Sequence, residues 1–254
     1  MTEFRYVSLG AGVESSALLV MAALGLRDCP SADLAIFADT QDEASWTYQH
    51  FLIMSEWALN HGLQVLDVTR GRLSDDAVIR VPAYVRNTDG DVAPLSQNCT
   101  RDYKLTPIRQ ATRAEMKRRG VKKAAAMIGI SLDEADRMRD SRFKYLRHLY
   151  PLVDAGMRKH DCADLLREHG LPVPRKSACV FCPWRSDRGW RDLQVHDPAG
   201  WQRAIAYDDR LRAQRQAAIH RSMIPLRELD FAAQGSFLDD TNHFTNDCSG
   251  RCGV

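Results

Sequence analysis

Residues 4–24 read Phe-Arg-Tyr-Val-Ser-Leu-Gly-Ala-Gly-Val-Glu-Ser-Ser-Ala-Leu-Leu-Val-Met-Ala-Ala-Leu, and the order of residue types in that stretch decides the fold class. Arg5 to Leu9 is a short, mostly apolar, β-favouring run, Gly10 to Ser16 a tight turn, and Ala17 to Leu24 an unbroken apolar helix. Gly10 and Gly12 open backbone conformations closed to other residues, so successive N–H groups can converge on an anion where the helix starts, with the Ser15 and Ser16 hydroxyls beside them. The turn is not a Walker loop, because no Gly-Lys-Ser/Thr follows, and it lacks the third glycine of the dinucleotide fingerprint. Taken alone, close packing of strand on helix accounts for the glycines as well as an anion does.

Working outward, the same alternation repeats. Asp33 to Phe37 reads as a second strand ending in Ala38-Asp39-Thr40, residues 42–60 as a helix, Leu63 to Val68 as a third strand and Ala124 to Ile128 as a fourth. Short loops join these elements, so the expected fold is α/β: a Rossmann-like, doubly wound, mostly parallel sheet with a helical C-terminal segment. The α/β domain is expected over residues 1–155, and residues 156–254 form the helical, cysteine-containing segment packed on it. Between 71 and 99, Pro82, Asn87-Thr88-Asp89-Gly90 and Pro94 point to a site loop. Thr106 and Pro107 are expected to cap a basic helix that stops at Gly120, and Leu132 to Met138 to begin another. Further helices are expected near 158–169, 187–194 and 198–220. Met157, Cys162, Leu165 and Leu166 fall on one face of the first of these, which puts Cys162 in the core.

The chain has 254 residues and a formal net charge of +2, and its 44% hydrophobic content excludes a disordered or fibrous protein. Its longest apolar run, Ala17 to Leu24, is far shorter than the roughly 18 residues of a membrane span, so no membrane partner is expected. The start, Met1-Thr2-Glu3-Phe4-Arg5, does not look like a secretory signal, and the expected location is the cytoplasm. Charge is unevenly spread: residues 1–100 hold 6 Lys and Arg against 13 Asp and Glu, whereas residues 101–150 hold 14 against 6. That basic segment is either a solvated helical face or a surface for phosphates, with Arg109, Arg113 and Lys117 on one stripe.

Seven cysteines, an odd number, argue against a disulfide framework and for metal or redox chemistry in a reducing compartment. Cys179-x-x-Cys182 is a metal or redox knuckle, and a metal site needs about four ligands, so distant cysteines must join it. Cys99 is the first candidate. The spacing admits an iron–sulfur cluster, a structural zinc ion or unligated thiols. Cys248 and Cys252, in a polar glycine-containing tail, are candidates for a further ligand, a persulfide carrier or a resolving pair.

Gly10-Ala11-Gly12-Val13-Glu14-Ser15 resembles the Ser-Gly-Gly-x-Asp-Ser pyrophosphate loop of the N-type ATP pyrophosphatases. Phe37-Ala38-Asp39-Thr40 with Glu43 and Trp46-Thr47-Tyr48, then Cys99-Thr100-Arg101-Asp102-Tyr103-Lys104, Ile128-Gly129-Ile130-Ser131 with Glu134 and Arg137, and Ser177-Ala178-Cys179-Val180-Phe181-Cys182-Pro183 extend the likeness over most of the chain. Together they resemble the phosphoadenosine phosphosulfate reductase family of the adenine nucleotide alpha-hydrolase superfamily, iron–sulfur type. The sequence departs from that pattern at Gly10, Ala11 and Glu14, at Ser131 and Ala135, and at Asn98, where a second cysteine is common.

The resemblance implies that residues 10–16 bind the phosphates of ATP with Mg²⁺, and that Asp39 and Thr40 lie near the nucleotide or its metal. Gly129 would flank the adenine or ribose, and Arg101, Lys104 and Arg137 would neutralise phosphate charge. It also implies a [4Fe–4S] cluster on Cys99, Cys179 and Cys182, with Cys248 or an open iron position completing it, zinc being the alternative. The expected activity is ATP-dependent sulfur transfer: an acceptor, expected to be a nucleotide or nucleic acid, is adenylated with loss of pyrophosphate. Sulfur from a cluster-bound sulfide or a persulfide on Cys248 or Cys252 then replaces oxygen, with a sulfur-donor or reductant protein as partner. Reduction of adenylyl sulfate or phosphoadenylyl sulfate to sulfite is the second reading, and a non-catalytic nucleotide- and metal-binding component of a nucleic-acid complex the third.

Overall fold

The structure, a computed structural model, describes residues 3–95 and 98–231, without the side chains of 77–80. In chain order the elements are β1 (Phe4–Leu9), α1 (Val13–Leu24), β2 (Leu34–Asp39), α2 (Ser45–Asn60), β3 (Val65–Thr69), α3 (Leu73–Arg80), β4 (Tyr84–Arg86) and β5 (Val92–Pro94). There follow α4 (Thr106–Arg119), β6 (Ala124–Ile128), β7 (Leu146–Leu149), α5 (Pro151–Asp154), α6 (Lys159–Glu168), α7 (Asp187–His196) and α8 (Pro198–Arg215).

Five strands form one sheet in the order β3-β2-β1-β6-β7, all parallel. A parallel sheet must be covered on both faces, which is why β6 reads Ala-Ala-Ala-Met-Ile and buries every residue. Alternate residues face opposite layers. Val7, Leu9, Ala35, Phe37 and Met127 share a core with α1, α2 and α6, whereas Phe4, Tyr6, Leu34, Ile36, Ala126 and Ile128 pack against Ile108 and Met116 of α4. The fold is therefore a Rossmann-like, doubly wound α/β sheet. β1 is central, with β2 on one side and β6 on the other, so the chain reverses direction there and opens a crevice at the carboxyl ends of the strands. A third core joins α7 and α8, through Trp190, Leu193, Trp201, Tyr207 and Leu211, to Ala44, Tyr103, Cys179 and Phe181.

Four expectations are corrected. Residues 71–99 are not one loop: α3 and the β4–β5 hairpin lie within them. Asn87 does make the hairpin turn, accepting the amides of Asp89 and Asp91 at 3.1 and 2.8 Å, but its three-residue strands are too short to show periodicity. Thr106 is not a helix cap, because Thr100–Leu105 is already a π-helical turn continuous with α4, and the Thr106 hydroxyl instead donates to the Arg101 carbonyl at 2.7 Å. After β6 there is only a 3-10 turn, Leu132–Arg137. The last long helix stops at Arg215, where Gln216 takes a left-handed conformation at φ 51°. Among the described residues no helix is long and apolar enough to cross a membrane.

Candidate active site

The glycine turn lies at the mouth of that crevice. Gly12 caps α1 in extended conformation, and Ala11 is held at φ 53° with no exposed surface. The Ser15 hydroxyl accepts the amides of Gly10 and Gly12 at 3.1 and 3.2 Å, so these two N–H groups are turned inward. The amides of Val13, Glu14 and Ser15 donate to no backbone carbonyl outside α1 among the described residues; they are the first donors of the helix N-terminus, where the dipole favours an anion. Ser16 is fully buried and its hydroxyl meets His50 Nε2 of α2 at 2.9 Å. Burial pushes the His50 pKa down to about 4, so the ring is neutral at pH 7. Glu14 is paired with Lys159 at 3.5 Å, which brings the start of α6 over the turn.

Gly129, at the end of β6, explains how closely the crevice walls approach. A Cβ there would lie 2.7 Å from the Ser15 nitrogen and 2.8 Å from its Cα, so only glycine lets β6 abut the first turn of α1. A Cβ on Gly12 would stand 3.3 Å from the Ser177 hydroxyl, two residues before Cys179. The glycine turn and the cysteine turn are thus neighbours.

The carboxyl end of β2 supplies the other side. Asp39 accepts the Gln41 amide at 2.7 Å and the Tyr48 hydroxyl at 2.9 Å. Residues 42–44 pair with 178–180: Val180 N donates to Asp42 O at 2.8 Å and Ala44 N to Ala178 O at 3.3 Å. This pairing seats the Cys179 sulfur 3.2 Å from the Thr40 hydroxyl and 3.6 Å from Glu43 Oε1. Glu43 is 2% exposed; Lys104 approaches its Oε1 at 3.3 Å, and its Oε2 has no hydrogen-bond partner. Burial first, and then the Glu43 carboxylate, raise the Cys179 pKa well above the ordinary thiol range.

Cys182 closes the cysteine turn, its amide donating to Cys179 O at 3.0 Å, and both Cys99 and Cys182 pack on the same core as Cys179. Three thiols from two distant segments therefore meet one core, a donor set suited in kind to soft or borderline metals. Among the described residues no three His, Cys, Asp or Glu side chains are grouped closely enough to hold a metal ion as they stand, so a shared centre requires the thiols to draw together. Cys248 and Cys252 lie outside the described residues.

Of the expected phosphate-neutralising cations, Lys104 is held by Glu43, Arg101 by the adjacent Asp102 at 2.9 Å, and Arg137 by Glu134. Arg109 and Arg113 lie over the rings of Phe143 and Tyr145, at 5.2 and 5.1 Å. Sequence reasoning assigned no role to His50, Lys159 or Arg185, nor to Glu43, which it quoted. Only the acidic run Asp39-Thr40-Gln41-Asp42-Glu43 carried a local signal; the other three depend on contacts between distant segments. Cys162 and Cys29 are buried in the core that α1 shares with α2 and α6, apart from the core that holds Cys179, with thiol pKa values pushed up by burial to about 12 and about 11.

No protein-family model and no curated protein matches the sequence. Among solved structures the chain is similar to the U34-tRNA thiolase NcsA from Methanococcus maripaludis with its [4Fe-4S] cluster, at 12% identity and a TM-score of 0.43, over 83% of this chain and 72% of that one. A likeness this distant assigns no residue, ligand or activity here.

Proposed function

We propose that the chain is an ATP-dependent sulfur transferase. In this reading ATP lies in the crevice between β1 and β6 with its phosphates toward the amides of Val13, Glu14 and Ser15. Mg²⁺ offsets the charge that Glu14 brings into the turn, Lys159 supplies a second positive charge there, and Gly129 keeps the wall narrow. An acceptor oxygen, of a nucleotide or nucleic acid, attacks the α-phosphate and pyrophosphate leaves; hydrosulfide-level sulfur then displaces AMP. Cys99, Cys179 and Cys182 would hold a [4Fe–4S] cluster, and that group, when bound, supplies an iron site able to carry the sulfide.

The observation that carries the reading is the contact of the two turns: Gly12 against Ser177, with Thr40 against Cys179. Holding an activated nucleotide beside thiol-bound sulfur is useful chiefly if one reacts with the other. The test is to purify the full chain without oxygen, measure iron, acid-labile sulfide and zinc, and incubate it with ATP, sulfide and mixed tRNA or DNA. Pyrophosphate and AMP formation with sulfur incorporated into nucleic acid is expected. Sulfite from adenylyl sulfate without pyrophosphate would instead identify a phosphosulfate reductase, and nucleotide binding without turnover a non-catalytic component.

A further inference from the structure

Arg185, just after the cysteine turn, is 5% exposed. Its guanidinium lies 5.7 and 5.6 Å from the ring centres of Trp46 and Trp190. One terminal nitrogen donates to the carbonyls of Ala178 and Cys179, at 3.4 and 3.1 Å, and the other reaches Gly189 O at 3.5 Å. Gly189 makes room for it: a Cβ there would stand 2.7 Å from Arg185 Cγ. Nε is buried without a partner.

The group is built in, yet it lacks a counter-charge. Among the described residues no carboxylate is within ion-pair distance of Arg185, and the acids nearest in effect are matched elsewhere: Glu43 by Lys104 at 3.3 Å and Asp192 by Arg175 at 3.5 Å. A charge taken out of water is costly, and the carbonyls and indole faces around this one compensate it only in part while no opposite charge shares its site.

We propose that Arg185 is the counter-charge of an anionic metal centre held by Cys179 and Cys182, a positioning residue that sets how readily the centre is bound and reduced. The proposal rests on the reading that these thiols hold a metal centre. Three thiolates around a doubly positive core, whether [4Fe–4S]²⁺ or Zn²⁺, leave one net negative charge, which one guanidinium balances; neutral thiols would leave the buried cation unmatched.

The experiment separates charge from hydrogen bonding. Arg185→Gln keeps amide donors and loses the charge; Arg185→Lys keeps the charge and loses the planar fork; Arg167→Met, an exposed position on α6 that pairs with Asp164 at 2.5 Å, is the control. Each full-length chain is purified without oxygen, checked for folding by circular dichroism and thermal unfolding, and assayed for iron, sulfide and zinc. The midpoint potential is measured by titration followed by electron paramagnetic resonance, or, if zinc is the occupant, zinc affinity is measured by chelator competition. Loss of the positive charge is expected to disfavour the reduced centre by on the order of tenfold, about 59 mV for one electron, or to weaken zinc by a similar factor. Arg185→Lys should stay within about threefold of wild type. A folded Arg185→Gln protein with wild-type potential and metal content, or one in which Lys and Gln behave alike, overturns the role. A wild-type chain that binds neither iron nor zinc overturns the centre itself, and does so before any variant is made.

Discussion

The Thr40 hydroxyl stands 3.2 Å from both the Cys179 sulfur and Glu43 Oε1, so one small side chain at the end of β2 ties the carboxyl edge of the sheet to the cysteine turn 139 positions away. All three groups are buried, and a buried polar group stripped of its partner costs more than the bond was worth. Replacing Thr40 by Val keeps the shape and removes the hydroxyl, leaving the Glu43 carboxylate, whose Oε2 is already unpartnered, with Lys104 and the Cys179 thiol as close polar contacts of its Oε1. A loss of about 1–3 kcal/mol is expected, read as a fall in Tm of several degrees by thermal unfolding. A Tm unchanged within error would show that the hydroxyl bridges nothing.

The two glycines at the carboxyl ends of β1 and β6 should respond oppositely to a single methyl group. At Gly129 a Cβ meets backbone of α1 at 2.7 and 2.8 Å, and backbone cannot swing away as a side chain can. At Gly10 the nearest atom is the Ser15 hydroxyl, at an ordinary 3.7 Å. Gly129→Ala is expected to destabilise the chain by about 1–3 kcal/mol and to weaken ATP binding by displacing the first turn of α1. Gly10→Ala should lie within about 0.5 kcal/mol of wild type. Urea unfolding and calorimetric titration with ATP measure both effects, and equal destabilisation by the two substitutions would count against the close approach.

That contrast also marks where the sequence was legible. β1, the glycine turn, α1 and β6 were readable because buried parallel strands are short apolar runs and glycines punctuate them. The hairpin and β7 were not, since three- and four-residue strands carry too little pattern. In the site, Cys179 and Cys182 announced themselves by spacing, whereas Arg185 looked like any other arginine. Nothing local distinguishes a guanidinium destined for burial beside Trp46 and Trp190; that follows from the long-range packing that brings a ring of α2 and a ring of α7 to the same side chain. His50 was equally silent, because its partner Ser16 is 34 positions away.

Two buried cysteines provide a second pair of opposites. Cys179 touches Thr40 and Glu43 in the core of α7 and α8, while Cys162 belongs with Leu165, Leu166 and Leu18 to the separate core around α1. Cys179→Ser is expected to abolish the visible absorbance and iron content of anaerobically purified protein. Cys162→Ala should leave both intact and cost about 1–2 kcal/mol in stability, as a small cavity in an apolar core. Iron analysis and thermal unfolding of the two variants side by side decide it. Full iron in Cys179→Ser would remove that residue from the ligand set.

His50 makes the fold sensitive to acid in a definite direction. Its pKa is lowered from 6.5 to about 4 by burial, so the unfolded chain binds a proton that the folded chain refuses between those values. The stabilising difference is therefore complete above the unfolded pKa and is lost progressively as pH falls from about 6.5 toward 4, by about 3 kcal/mol at most for a shift of this size. His50→Gln cannot titrate and keeps a polar group for Ser16. Its stability relative to wild type should rise steadily as the buffer is taken from pH 7 to pH 4.5, measured by urea unfolding at each pH so that carboxylates common to both proteins cancel. Because Ser16 belongs to the first turn of α1, protonation of His50 should also loosen the amides of Val13 to Ser15, visible as faster hydrogen exchange there than in β6. Parallel pH profiles for the two proteins would mean that the imidazole is solvated and that Ser16 is not its partner.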